Sequence, residues 1–145
     1  MIYTPMTIAA AKIAAECHHG QYYKGGMPYI FHPFHLAEQM EDEITAAIAL
    51  LHDVAEDTAV TLEELALQFP PQVMDALRLL THDESVPYFD YIAAICRNPH
   101  AVIVKMADLR HNMDADRIQH PTARDEVRRD KYKAAYAMLE NALSK

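Results

Sequence analysis

Apolar residues return along this chain at three- and four-residue intervals, and strand-like alternation is nearly absent. The spacing predicts helices throughout. An Ala-rich helix runs from Pro5 to about His19, followed by a loop over Gly20 to Tyr29 that holds all three glycines. His32-Pro33 opens a second helix to about Met40, and a third runs from about Glu43 to Asp57 with Ile44, Ala47, Ile48 and Leu51 on its apolar stripe. Thr61-x-x-Glu64 has the form of a capping box, in which a hydroxyl and a carboxylate satisfy exposed amides, and it starts a short helix. Pro70-Pro71 opens the next, with Val73, Leu77 and Leu80 at helical spacing. Ser85 to Cys96 follows, Asn98-Pro99 caps a long helix to about Ala115, and His120-Pro121 opens the last, turning Val127, Ala135, Met138 and Leu139 inward. The expected fold is an all-α, single-domain bundle of seven or eight helices over residues 1–145.

Composition changes this picture little. The 145 residues suffice for one domain that buries roughly 70% of its unfolded surface, and 51% hydrophobic with 23% charged residues is ordinary globular usage. Three glycines leave no G-x-G-x-x-G or G-x-x-x-x-G-K-[ST] phosphate loop. Cys17 and Cys96 form no C-x-x-C and read as reduced thiols of a cytoplasmic protein. No signal peptide or membrane-spanning run is expected, nor an obligate protein partner. A net charge of -8 argues against a nucleic-acid partner. That charge is uneven: residues 1–96 carry three basic and 14 acidic side chains, residues 97–145 ten and seven. The nine histidines are the feature that calls for a site.

The stretch Leu50-Leu51-His52-Asp53-Val54-Ala55-Glu56-Asp57 supplies one. An apolar helix turns abruptly into four ionisable groups, whose burial needs compensation. On a continuous helix His52 and Glu56 are neighbours, as are Asp53 and Asp57. The negative end of the helix dipole disfavours three carboxylates there unless a cation sits among them. His32 lies at a helix start beside the glycine loop, and Lys105, Asp108 and Asn112 share one face of a later helix. Placed around one ion, His32, His52, Asp53 and Asp108 offer two nitrogens and two oxygens. Such a mixture suits Mn²⁺, with Zn²⁺ or Fe²⁺ also compatible, and four protein ligands leave positions for water.

These residues resemble a known family. His32, His52-Asp53 and Asp108 follow the H…HD…D signature of HD-domain metal-dependent phosphohydrolases. The fuller motifs are similar to the (p)ppGpp hydrolase domain of RelA/SpoT-type enzymes and to stand-alone small alarmone hydrolases. They are His18-x-Gly20-Gln21-x-x-Lys24-x-Gly26-x-Pro28-Tyr29-Ile30-x-His32-Pro33, Leu50-Leu51-His52-Asp53-x-x-Glu56-Asp57-Thr58 and Val104-Lys105-Met106-Ala107-Asp108-x-x-x-Asn112, in order from about residue 9 to 117. The resemblance implies a Mn²⁺ site of His32, His52, Asp53 and Asp108, with Glu56 and Asp57 positioning and activating the attacking water. It implies a nucleotide substrate contacted by Lys24, Asn112 and Tyr132, and release of pyrophosphate from its 3′ position. Where the family has Arg-Lys this chain has Tyr23-Lys24, so a Tyr ring takes the place of the guanidinium that packs on the base.

Several positions carry two readings. His52-Asp53 alone is also a helix-terminal ion pair, and Glu56-Asp57 alone a solvated helix end. Lys105 is a phosphate contact or half of an intrahelical salt bridge. Tyr23 is a base platform or an exposed aromatic, and Tyr132 a substrate contact or a core ring. The basic run Arg124, Arg128, Arg129, Lys131 and Lys133, interleaved with Asp125, Glu126 and Asp130, reads first as a salt-bridged helix face and then as phosphate steering. Three activities follow: hydrolysis of ppGpp and pppGpp, hydrolysis of another nucleotide such as an adenine alarmone or the 2′-phosphate of NADPH, or nucleotide binding without turnover.

Overall fold

The computed structural model of the protein describes residues 1–23, 25–114 and 122–145. Among these are nine helices: α1 (Pro5–Cys17), α2 (Phe31–Glu38), α3 (Glu43–Leu51), α4 (Val54–Asp57), α5 (Leu62–Ala66), α6 (Pro71–Leu80), α7 (Tyr88–Ile95), α8 (Pro99–Asn112) and α9 (Ala123–Leu143). The all-α expectation holds, and the extra helix arises because the segment from Glu43 to Asp57 is broken into α3 and α4.

Helix starts follow local chemistry. Thr4 and Thr7 form a reciprocal cap on α1, Asp42 accepts the Thr45 amide at 2.7 Å on α3, and Asn98 accepts the Ala101 amide at 3.1 Å on α8. Thr61 accepts the Glu64 amide at 3.1 Å, one half of the expected capping box, while the Glu64 carboxylate accepts the Thr61 hydroxyl at 3.3 Å. Thr122 with Asp125 caps α9; the expected His120-Pro121 start lies outside the described residues.

The third helix organises the rest. In α3 every residue from Thr45 to Leu51 is buried, and the helix packs on α1, α2, α6 and α8. An element apolar on all sides belongs in the middle of a bundle, and it carries His52 and Asp53 out of the core at its end. Helix α8 crosses α3 and brings Asp108, on its buried face, to the same end. Two expectations are corrected. Val127 is exposed at 70% rather than inward, because the buried positions of α9 are Asp125, Ala135 and Leu139. Helix α7 begins at Tyr88 rather than Ser85, since Ser85 bonds to Asp83 in a turn closed by Pro87.

The glycine loop has internal order. An isolated bridge pairs Tyr22 with Pro28, and the Tyr23 amide donates to the Met27 carbonyl at 2.8 Å. The turn between needs Gly26 at a φ of 91°, which a side chain would disfavour. This fold aims Tyr23 and Tyr29 at the end of α3.

Candidate active site

Helix α3 stops at His52 because that side chain takes over a helix-end carbonyl: its Nδ1 donates to Ala49 O at 2.6 Å. At Asp53 the backbone leaves helical geometry (φ −107°, ψ 0°), and one further turn, α4, is closed by the Asp57 amide on the Asp53 carbonyl at 2.9 Å. The expected face-sharing of His52 with Glu56 is therefore replaced. His52 turns inward toward His32 and Asp108, whereas Glu56 accepts the backbone N–H of His82 at 2.6 Å.

His32, His52 and Asp108 are 2%, 4% and 5% exposed and so lie inside the fold, whereas Glu56 and Asp57 are exposed at the end of α4. His32 Nε2 lies 2.8 Å from Asp108 Oδ1, and His52 Nε2 lies 2.9 Å from Asp53 Oδ2 and 3.5 Å from Asp108 Oδ1. Ligand atoms of His32, His52 and Asp53 all fall within 4.8 Å of one another, and so do those of Asp53, Glu56 and Asp57. Asp53 belongs to both groups.

The arrangement fits a divalent cation. With its Nδ1 proton committed to Ala49, His52 points Nε2 at two carboxylates, yet that buried nitrogen has no properly aligned hydrogen bond. Burial opposes a charge on this ring, but Asp53 and Asp108 outweigh it and hold His52 well above the usual histidine range. An ion among these atoms would take the proton's place. Burial lowers the affinity of His32 for a proton, which leaves a neutral imidazole suited to ligation.

Lys105 Nζ lies 2.9 Å from Asp108 Oδ2, so the salt-bridge reading of this residue is the one seen. Burial disfavours that carboxylate, but the ammonium, helped by His32 and His52, holds Asp108 well below the ordinary carboxylate range. Asn112 donates to Asp108 Oδ1 at 3.1 Å. Glu56 and Asp57 are both raised, first by burial and then by neighbouring carboxylates.

A cavity of about 290 Å³ opens on this centre. Asp53, Glu56, Asp57, Asp108 and Asp114 line it together with Asp125, Arg128, Arg129 and Tyr132 of α9. Of the basic run, Arg128 and Arg129 line this cavity. Tyr23 roofs the cavity: its hydroxyl donates to Asn112 Oδ1 at 3.2 Å, and its ring stacks over Tyr29 and His32 with centroids 6.5 Å apart. A second hollow of about 500 Å³ lies across Tyr23 and His32 from the carboxylates, against Met27, Phe31 and Phe34. Lys24 is outside the described residues.

Two side chains escaped the sequence reading. Tyr29 donates its hydroxyl to Asp53 Oδ2; its place three residues before His32 was an available signal. His111 Nδ1 sits 2.7 Å from His32 Nδ1, with the rings stacked at 5.0 Å. One helical turn past Asp108, it shares that residue's face. Fixing the distal nitrogen of a ligating histidine sets its tautomer and direction. His111→Ala is therefore expected to weaken divalent-metal affinity by about 10- to 100-fold, measured by competition with a chelating dye; an unchanged affinity would refute this role.

The HD domain family profile matches residues 10–89. The mouse protein named guanosine-3′,5′-bis(diphosphate) 3′-pyrophosphohydrolase MESH1 is 34% identical over 139 residues, covering 86% of this chain and 77% of its own. A Haemophilus influenzae protein named guanosine-3′,5′-bis(diphosphate) 3′-pyrophosphohydrolase is 37% identical over 116 residues, which are 70% of this chain but 17% of that protein. The chain spans less than a fifth of the length of such bacterial relatives. A solved structure of a metazoan SpoT ortholog, described as hydrolysing ppGpp and acting in starvation responses, superposes with a TM-score of 0.76 at 26% identity, over 99% of this chain and 88% of that one. With its profile matched over more than half of the residues and a relative of similar length aligned along most of the sequence, this chain belongs to the HD domain family.

Proposed function

We propose that this protein hydrolyses the 3′-pyrophosphate of guanosine alarmones, converting ppGpp and water to GDP and pyrophosphate, and pppGpp likewise to GTP. The observation that carries the reading is the cluster of His32, His52, Asp53 and Asp108, whose two aspartates line a cavity that Arg128 and Arg129 also line. The relatives' printed activities support it. Membership of the HD domain family implies a divalent ion, and the mixed nitrogen and oxygen donors favour Mn²⁺. We read residues 1–145 as one hydrolase unit. Its unpaired cysteines accord with a cytoplasmic setting, and no described helix is long and apolar enough to cross a membrane.

His32, His52, Asp53 and Asp108 would hold the ion, which would supply a Lewis acid for a phosphoryl oxygen and lower the pKa of water. The remaining work falls to the chain. Glu56, fixed by the His82 amide and raised by burial, accepts a proton from the attacking water. Asp57 orients that water from the adjacent position. Arg128 and Arg129 offset the charge that grows on the departing pyrophosphate. Lys105 acts from behind by holding Asp108 ionised, while Asn112 and Tyr132 border the nucleotide. Tyr23 gives the base a ring to stack on.

The test is incubation of purified protein with ppGpp, with and without Mn²⁺, separating pyrophosphate from inorganic phosphate. Pyrophosphate release dependent on the ion is expected; orthophosphate, or none, refutes the reading. Because Tyr23 stands where a guanidinium is usual, adenine alarmones and NADPH belong in the same assay. Glu56→Gln should retain the metal yet lower kcat by about 10²- to 10⁴-fold. Loss of metal from that variant would make Glu56 a ligand instead.

A further inference from the structure

The cavity at the carboxylates shares Glu56, Lys105, Asn112 and Tyr132 with a third hollow, of about 280 Å³, lined also by His82, Tyr88, Tyr91, Leu109 and Lys131. Its chemistry differs from that of the carboxylate end. The Tyr88 hydroxyl is buried and has no hydrogen-bond partner among the described residues, a condition native structures rarely leave unexplained. Burial pushes this phenol up to about 12, so at neutral pH it keeps its proton and can donate. Lys131 Nζ stands 4.3 Å from the centroid of the Tyr88 ring and 5.7 Å from that of Tyr132, so an ammonium is seated on the aromatic wall. On the inner side Lys105 Nζ lies 5.3 Å over the Tyr91 ring. Glu56, the carboxylate in this wall, directs an oxygen onto the His82 amide.

We propose that this hollow is a second anion subsite, holding the 5′-phosphate groups of the nucleotide while the 3′-pyrophosphate lies against the carboxylate centre. The assignment rests on the hydrolase reading. A phosphate oxygen would satisfy the Tyr88 hydroxyl with a charge-assisted hydrogen bond, and Lys131 would supply the opposing charge. Tyr88 and Lys131 thereby become specificity determinants: they distinguish a nucleotide phosphorylated at both ends from one phosphorylated only at the 3′ position.

The experiment compares ppGpp with guanosine 3′-diphosphate, which lacks the 5′ groups, in steady-state kinetics of the wild type, Tyr88→Phe and Lys131→Met. Tyr88→Phe keeps the ring on which Lys131 rests. Each substitution is expected to raise KM for ppGpp about tenfold, the loss of one charged hydrogen bond, and KM for guanosine 3′-diphosphate by less than about twofold. Equal losses on both substrates, or none on either, would overturn the subsite. Wild-type protein inert on both substrates would instead sink the hydrolase reading. In that event titration of inorganic pyrophosphate into chelator-treated protein decides the subsite alone. Weaker binding in both variants supports it, and equal affinity or no wild-type binding overturns it.

Discussion

Asp53→Asn should strip metal binding and turnover from the protein in one step. Asp53 is the residue common to both donor groups, lies 2.9 Å from His52 Nε2 and accepts the Tyr29 hydroxyl. Asparagine keeps the shape of the side chain and removes its charge, so the ion loses an anionic ligand while the packing of Tyr29 survives. Loss of the several kcal/mol that a metal contributes to a phosphoryl transition state corresponds to at least about 10³-fold in kcat/KM. Metal content after dialysis and pyrophosphate release are to be measured on the same preparation. A variant that stays metal-replete and active would remove Asp53 from the centre.

The second large effect concerns stability. The side chain of Lys105 is 14% exposed and that of Asp108 7%, and Lys105→Met would leave that carboxylate without its ammonium. Removing one member of such a buried pair costs about 3–5 kcal/mol, to be read from urea unfolding in chelator. An excess of Mn²⁺ should return much of the loss, because a cation at the ligands neutralises the same carboxylate. The pH dependence has a definite sign. Asp108 is depressed in the folded protein, so its contribution is full above the ordinary carboxylate range near about 4 and is lost as pH falls through the folded value. Metal-free wild type should therefore weaken on acidification, and Lys105→Met should show a shallower acid limb. Equal limbs, or an unfolding midpoint that Mn²⁺ leaves unmoved, would contradict this account.

Much of the centre was legible because its chemistry lies in side-chain identity. Two histidines and two aspartates in three separated segments, each at a helix end or on a helix face, already specified which residues should meet, and His32, His52, Asp53 and Asp108 do meet. What stayed hidden depends on tertiary contact. Val54 and Ala55 resume the apolar pattern after the His52-Asp53 pair, so residue type alone does not mark the backbone break at Asp53. The grip on Glu56 comes from a backbone amide, at His82, which residue type does not encode. His111 carried no motif of its own, although its spacing from Asp108 put it on the same helix face. Val127 was misplaced because α9 lies with much of its length against solvent, and one apolar residue in such a helix need not face inward.

The burial of α3 on every side bears on how this protein can vary. A surface helix can absorb an inserted residue by rotating its polar face, but α3 from Thr45 to Leu51 has no polar face to present. One extra residue between Asp42 and His52 would either expose that stripe or turn the His-Asp pair by about 100° around the helix axis, away from His32 and Asp108. Descendants of this chain should thus exchange one apolar side chain for another along α3 while keeping the distance from its cap to its last histidine unchanged.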